Sequence, residues 1–232
     1  MGSYFSFDYM IKSFPILLSY IDVTIIVTIV AEIFGILIGC VVALIRINKI
    51  KVLNQICFFY ISFIRGTPFL VQLYLVCFGL PQLIQGFGYQ DIRSIPVLLF
   101  VFFIMAVHSG AYIAEIMRSS ILAVDKGQLE AAHSVGMSSY QAYIRIILPQ
   151  AFSMAIPAIG NNVIGTLKST SLIFNVGIVD MLRKAELMGS YSYRHLELYI
   201  DVAIIYVLLC FAVQAVTRFI ERRTILGKEV AL

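Results

Sequence analysis

The sequence has no tryptophan and few charges: Asp, Glu, Lys and Arg make up 13% of its 232 residues, against 60% hydrophobic. So few charges cannot cover the surface of a soluble domain of this length, and a mean hydropathy of +0.93 points to lipid as the solvent. Any aromatic belt at the membrane surface falls to the 13 Tyr and 17 Phe. The four cysteines (Cys40, Cys57, Cys77, Cys210) stand singly in apolar stretches with no C-x-x-C, so neither a zinc site nor a disulfide framework is signalled and they read as small hydrophobes. No G-x-x-x-x-G-K-[ST], H-E-x-x-H or G-x-S-x-G occurs, which argues against ATP chemistry in this chain and against an intramembrane hydrolase. The net charge of +4 is modest and reads as basic membrane edges rather than nucleic-acid binding.

What is present is a set of long apolar runs. Crossing about 30 Å of hydrocarbon takes about 20 residues, and five runs qualify: 22–45, 54–80, 94–117, 149 into the 170s, and 196–216. The first ends at Arg46-x-x-Lys49 without a small-residue cleavage site, so it reads as a retained span rather than a signal peptide. Residues 1–21, with aromatics and Pro15, read as an interfacial lead-in. The second run is broken at Arg65-Gly66-Thr67-Pro68, where Thr67 can cap a helix and Pro68 fits a first turn. One kinked helix and an interfacial helix followed by a short span both fit.

Basic residues set orientation. Ten (Arg46, Lys49, Lys51, Arg118, Lys126, Arg145, Arg218, Arg222, Arg223, Lys228) fall on one side and five (Lys12, Arg93, Arg183, Lys184, Arg194) on the other. The expected fold is an all-α integral membrane protein with about five transmembrane helices, N-terminus outside and C-terminus cytoplasmic. Its membrane domain covers 22–220, with a cytoplasmic loop at 118–149 and a tail at 221–232. Five spans do not divide into inverted halves, so a permeation path calls for a second copy or a related chain. Gly35 and Gly39 form a G-x-x-x-G suited to close helix packing.

The loop is the informative stretch. Asp125-Lys126-Gly127-Gln128 reads as a turn and helix start, Leu129 to Val135 as a short helix ended by Gly136, and Ser138 or Ser139 as the cap of a second helix running to Leu148 before Pro149. Ordered loops of this length are usually functional. Glu130-Ala131-Ala132, three residues, Gly136, nine residues, Ile146, one residue, Leu148-Pro149: at every spacing this resembles the EAA signature of bacterial binding-protein-dependent ABC importer permeases. Arg65-Gly66-Thr67-Pro68 with Val71-Gln72, Ala111-Tyr112-Ile113-Ala114-Glu115, Ala123 to Gln128, Gly160-Asn161-Asn162 and Leu167 to Leu172 resemble the polar amino acid branch of that family. The similarity covers roughly residues 20 to 220.

The resemblance implies a bacterial inner-membrane permease subunit. It implies a coupling helix seated on a separate cytoplasmic ATPase dimer, which carries ATP and Mg while this chain carries no cofactor. It also implies an extracytoplasmic amino-acid-binding protein and a second permease copy in the bilayer. The coupling residues are then Gln128, Glu130, Ala131, Ala132, Gly136, Met137, Ser138, Leu148 and Pro149. Ala131 and Ala132 would allow close approach to the socket, and Glu130 would hydrogen-bond locally to brace the helix–turn–helix. The competing reading is a stand-alone secondary transporter or channel.

Ionisable and polar groups at bilayer depth are functional candidates. Glu32 lies near the midplane, either lining the path to meet a substrate ammonium, or paired or protonated. Glu32 departs from the small or apolar residues usual there in the family. His108 is mid-span and reads as a packed, hydrogen-bonded histidine more readily than a ligand, and Glu115 is placed to pair with Arg118 at i, i+3. Asn161, Asn162, Lys168, Ser169 and Thr170 cluster where Pro157 and Gly160 can open the helix. With Glu32, Arg65, Thr67 and His108 they form the candidate substrate path. Lys168 suits a substrate carboxylate or a bridge to Glu32. An amide at 162, where relatives for cationic substrates carry a carboxylate, favours a zwitterionic solute such as a cystine- or glutamine-like amino acid.

Overall fold

The computed structural model describes residues 5–88 and 94–229, with the side chains of 225–229 excepted; the expectation for Arg93 lies outside the described residues, as does that for the Lys228 side chain. The described residues are helical, and five stretches are long and apolar enough to span a bilayer. In chain order the helices are α1 (Phe7–Leu18), α2 (Ile21–Ile47), α3 (Lys51–Gly66), α4 (Phe69–Gly86), α5 (Val97–Leu122), α6 (Lys126–Ser134), α7 (Ser139–Val176), α8 (Met181–Ser192) and α9 (His195–Glu229). The spans are α2, α4, α5, α7 and α9. Ile26, Ile29, Ile33, Phe34, Leu37, Val41 and Leu44 are all exposed along one side of α2, a surface that only lipid or a partner chain can cover.

Small residues bring α2 and α5 together. A Cβ at Gly35 would stand 2.7 Å from Ser109 Oγ and one at Gly39 2.6 Å from Ile113 Cγ2, while on the facing helix a Cβ at Gly110 would stand 2.8 Å from Ile38 Cγ2. The G-x-x-x-G is therefore spent inside the chain, on a closely packed pair of parallel spans.

The break in the second run separates two helices. Thr67 adopts φ −118°, ψ 145°, the extended conformation forced on a residue before proline. Gln72 clips the gap, its Nε2 donating to Ile64 O (2.7 Å), Thr67 O (3.0 Å) and Thr67 Oγ1 (2.7 Å). The restarted helix continues past Leu80 to Gly86 through a π turn at Leu75–Gly79, giving 18 residues, about 27 Å of rise and enough to cross the hydrocarbon.

The expected break at Pro149 does not occur. The helix that starts at Ser139 runs on through 38 residues to Val176, because a π turn at Tyr143–Ile147 immediately before Leu148-Pro149 accommodates the missing proline donor. Nor do Pro157 and Gly160 open it: α-helix is continuous from Leu148 to Ser169, and Gly160 instead gives room for Thr217 of α9, which packs where its Cβ would be. A 3-10 turn over Thr170–Val176 and Gly177 at φ +89° end α7.

At the far end from the 118–149 loop, α1 docks on α8 and α9. Ser6 caps α1, and its N–H donates to Glu197 Oε1 (3.0 Å), which also accepts from Arg194 (2.8 Å). Ser13 Oγ donates to buried Asp201 (2.5 Å), over a core of Leu17, Met181, Ala185, Leu198, Val202 and Ile205. At the other end, α9 stays helical through Glu229, so the segment expected as a tail continues the helix of the last span over 221–229.

Candidate functional site

The 118–149 loop is a rigid helix–turn–helix. Asp125 caps α6, accepting from Gly127 N (2.6 Å). At its C-terminus Gly136 takes φ +81°, with Gly136 N donating to His133 O (3.0 Å) and Met137 N to Ala132 O (3.1 Å), the paired bonds of a Schellman turn. Ser138 then opens α7 with a capping box: Gln141 N donates to Ser138 Oγ (3.3 Å) and Ser138 N to Gln141 Oε1 (3.0 Å). Val124, Ile147 and Ala151, packed against Ile121, Leu129 and Ile146, root the loop on the bundle.

Gln128, Glu130, Ala131, Gly136 and Ser138 are exposed, and so is Pro149. Two expectations change. Glu130 makes no side-chain hydrogen bond among the described residues; backbone turns and a Ser139 Oγ to His133 Nε2 contact (3.3 Å) brace the loop, leaving the carboxylate facing solvent. Ala132 is 2% exposed and packs inward, so of the two alanines only Ala131 faces outward. Val135 (77% exposed) and Tyr140 (76% exposed) are apolar groups at the tip that the motif spacing did not single out. Their signal in the sequence was an apolar residue on each side of a polar turn.

In the membrane interior the sequence candidates separate into three groups. The first is a buried node. Glu32 is 7% exposed and accepts from Thr166 Oγ1 (2.6 Å), Ser109 Oγ (3.0 Å) and Asn162 Nδ2 (3.2 Å to Oε1, 3.3 Å to Oε2), while Asn162 Nδ2 also reaches Ser109 Oγ (2.9 Å). The bonds tie α2, α5 and α7, and the bridge from Lys168 to Glu32 is not formed. Ser109 and Thr166 were missed in the sequence, although Thr166 stands four residues after Asn162 on the same helix face.

The second group surrounds His108. Its Nδ1 lies 3.0 Å from Gln72 Oε1, and its ring packs against Phe69 and Tyr112, the packed histidine the sequence favoured. Thr67 belongs to the same group through Gln72. Arg65 does not join it. The Arg65 guanidinium lies 5.4 Å from the Tyr112 ring centre and, with Arg46, Ser62 and Glu115, lines an open cleft of about 400 Å³. Glu115 pairs there with Arg118 as its spacing indicated.

The third group is the outer face of α7. Asn161, Gly165 and Lys168 are exposed and, at i, i+4 and i+7, share one side, away from the Glu32 node. Asn161 and Lys168 border two adjoining clefts between α7 and α9 that share Ile164 and Gln214: one of about 170 Å³ beside Asn161, Thr217, Arg218 and Glu221, the other of about 330 Å³ beside Lys168, Tyr206, Cys210 and Phe211. Ser169 and Thr170 turn back on the helix, Ser169 Oγ donating to Gly165 O (3.0 Å) and buried Thr170 to Leu167 O (2.7 Å). Lys168 faces the middle of the α9 span with no carboxylate in ion-pair reach among the described residues. An ammonium at that depth is costly against hydrocarbon, which marks this face as a functional candidate.

Beyond the end of α7, Asp180 caps α8 by accepting from Arg183 N (2.8 Å) through Oδ1, while buried Oδ2 has no partner. Burial pushes its carboxyl up to about 6, against the smaller opposing pull of the helix-cap amides.

A span bundle with an exposed helix–turn–helix at one end and clefts bearing Asn161, Lys168 and Gln214 between two spans is consistent with a solute-transport membrane component. The chain belongs to the family of binding-protein-dependent transport system inner membrane components, whose model matches residues 35–226. Its relatives include the Bacillus subtilis (strain 168) protein named Probable amino-acid permease protein YxeN, 43% identical over 215 residues that cover 93% of this chain and 94% of that one. Another is the L-cystine transport system permease protein TcyL of the same organism, 40% identical over 209 residues, 90% of this chain and 87% of that one. Among solved structures, an amino acid ABC transporter with histidines matches with TM-score 0.85 at 37% identity, over 95% of this chain and 100% of that chain. The chain is thus a multi-pass inner-membrane protein.

Proposed function

We propose that this chain is the permease subunit of an ATP-binding-cassette importer that takes up a polar, zwitterionic amino acid, cystine- or glutamine-like, by alternating access. The observation that carries this reading is the exposed α6 loop with the EAA spacing, built directly onto the span that bears Asn161, Asn162 and Lys168. In this reading Gln128, Glu130, Ala131, Gly136, Met137 and Ser138 meet a separate ATPase dimer that holds ATP and Mg. Ala132, Leu148 and Pro149 shape the loop from behind. Val135 and Tyr140 give the interface its apolar anchors. The loop and C-terminus lie in the cytoplasm, a second permease copy completes the path, and an extracytoplasmic binding protein delivers the solute.

The α7–α9 clefts form the path wall. Lys168 meets the substrate carboxylate, and the carboxylate on these clefts, Glu221, lies in the adjoining one beside Arg218. The names of relatives, which include L-cystine, glutamine and arginine transport systems, support an amino acid as the solute, and the zwitterionic preference rests on the cleft alone. The test is isolation of the complex from native membranes with mass spectrometry, followed by uptake of labelled cystine, glutamine and arginine in proteoliposomes. Co-isolation of a P-loop ATPase and ATP-dependent uptake of a zwitterion support the reading. Flux through the chain alone, without an ATPase, would replace it with a stand-alone transporter or channel.

A further inference from the structure

Glu32 is held in a way that sets it apart from the path residues. Both carboxylate oxygens are engaged, and all three partners are neutral side chains that donate. No lysine, arginine or histidine pairs with it among the described residues. Two of its partners, Asn162 and Thr166, sit one turn apart on the inner side of α7, and the third, Ser109, sits on α5 at the point where Gly35 of α2 packs closest. The carboxylate thus joins the α2–α5 pair to α7. Because its partners on α7 are fixed in azimuth, the bonds also set the rotation of α7 about its own axis. That rotation turns Asn161 and Lys168 toward the clefts.

The same helix begins at the coupling loop. Asn162 lies 23 positions after Ser139 along one continuous helix, about 35 Å away. A displacement imposed at the loop reaches the node along that helix. A node of hydrogen bonds to neutral donors can open and re-form without stranding a buried ion pair.

We propose that Glu32 is a positioning residue for transport: it locks α7 against the α2–α5 pair, fixing the rotation that presents Asn161 and Lys168, and releases α7 when the coupling loop is driven. It acts through Asn162 and Thr166 and does not itself contact the solute. This rests on the importer reading above.

The test is a head-group exchange that keeps both stem lengths: Glu32→Gln, Asn162→Asp, and the two together, each assembled with the ATPase and binding protein in proteoliposomes. Glu32→Gln leaves an amide oxygen to accept from Thr166 and Ser109 but turns its Nε2 toward Asn162 Nδ2, donor against donor, and Asn162→Asp sets a second carboxylate against the first. Each single variant lowers ATP-coupled uptake about tenfold and raises ATP hydrolysis in the absence of solute, which mere loss of folded protein would not do. The double variant restores an amide–carboxylate pair between α2 and α7 and returns uptake to within about threefold of the unmodified chain. A double variant as impaired as Glu32→Gln alone would show that a carboxylate is needed at position 32 itself, as a solute ligand, and would overturn the proposal. So would unimpaired uptake by Glu32→Gln.

Should a single variant fail to accumulate, Thr166→Val, which removes one donor at constant shape, takes its place; wild-type uptake and wild-type solute-free hydrolysis by it would equally overturn the lock. Absence of amino-acid uptake by the unmodified complex would sink the importer reading alone. The lock is then read from thiol labelling of Asn161→Cys in a background without the native cysteines: Glu32→Gln changes the labelling rate and the double exchange restores it, and an unchanged rate counts against the lock.

Discussion

Gly35→Ala is the smallest change that tests how the membrane core is packed. The added Cβ would stand 2.7 Å from Ser109 Oγ, 2.8 Å from Ser109 Cβ and 3.2 Å from the Gly110 amide nitrogen. Relief requires the helices to part by about 1 Å, or Ser109 to leave its rotamer. Overpacking of this kind costs about 1–3 kcal/mol, and alanine's helix propensity returns about 1 kcal/mol. A second loss adds to this, because Ser109 Oγ is a donor to Glu32 (3.0 Å), and a hydrogen bond to a charged group contributes about 1.5–3 kcal/mol. The net destabilisation is about 2–4 kcal/mol, which for a chain of this length lowers the melting temperature by about 5–15 °C. Gly39→Ala meets Ile113 Cγ2 at 2.6 Å but touches no member of the node, so it loses only the packing share, about 0–2 kcal/mol after the same helix-propensity gain. Gly165→Ala, with nothing within 4 Å of its new Cβ, is the control and holds or gains stability. The assay is thermal unfolding of the detergent-purified chain followed by intrinsic tyrosine fluorescence. If Gly35→Ala melts with or above Gly165→Ala, the close α2–α5 contact is not what holds the pair.

At the coupling loop, Gly136→Leu forces a side chain onto φ +81° and Glu130→Lys reverses an exposed charge; both should abolish co-purification with the ATPase, or uncouple hydrolysis from uptake, while the spans keep their melting temperature. Normal uptake by both would remove the coupling role. Lys168→Met should raise the KM for uptake about tenfold without changing ATPase co-purification, as expected from losing one charge-assisted contact to a carboxylate; an unchanged KM would take Lys168 out of the path. Asp180 gives a pH dependence. Its folded pKa, raised to about 6 from the ordinary 3.8, means that its protonated form favours the fold, a contribution fully present below about pH 4 and lost as pH rises through 6. The loss amounts to about 3 kcal/mol. Asp180→Asn keeps the acceptor for Arg183 N and should raise the melting temperature at pH 7.5 while flattening its dependence between pH 4 and 7. An unchanged pH profile would show that Asp180 is not the titrating group.

The spans and the loop could be read from the sequence because both rest on local, periodic signals: apolar runs of the right length, an Asp cap, a glycine where φ must be positive, a serine capping box. What the sequence left open depended on distance. Whether Arg65 to Pro68 kinks or splits a helix turned on Gln72, which reaches back eight residues to Ile64 O. Pro149 read as a stop because a proline breaks an α-helix; the π turn before it has no signature in residue type alone. Glu32 was singled out by its depth, but its hydrogen bonds turned on Ser109, Asn162 and Thr166, which lie 77, 130 and 134 positions away along the chain. Lys168 and Glu32 were natural partners by charge, yet the helix periodicity that sets Asn162 and Thr166 inward sends Lys168 the other way.

That opposition of faces carries the functional consequence. α7 has one side occupied by the Glu32 node and the other by Asn161, Gly165 and Lys168, and its first turn is the second arm of the loop. A helix so built cannot turn the side that bears Asn161 and Lys168 without disturbing the node. Nor can the loop be pulled without loading both, since no interruption separates Ser139 from Val176. The π turn at Tyr143–Ile147 sits between loop and membrane, where a change in helical winding shifts azimuth without breaking the helix. The α2–α5 pair, closely packed at Gly35, Gly39 and Gly110, is the body against which such a turn would be made. In an importer, the chain's division into a fixed pair and one through-going helix therefore puts the solute face, the node and the ATPase contact on a single mechanical element.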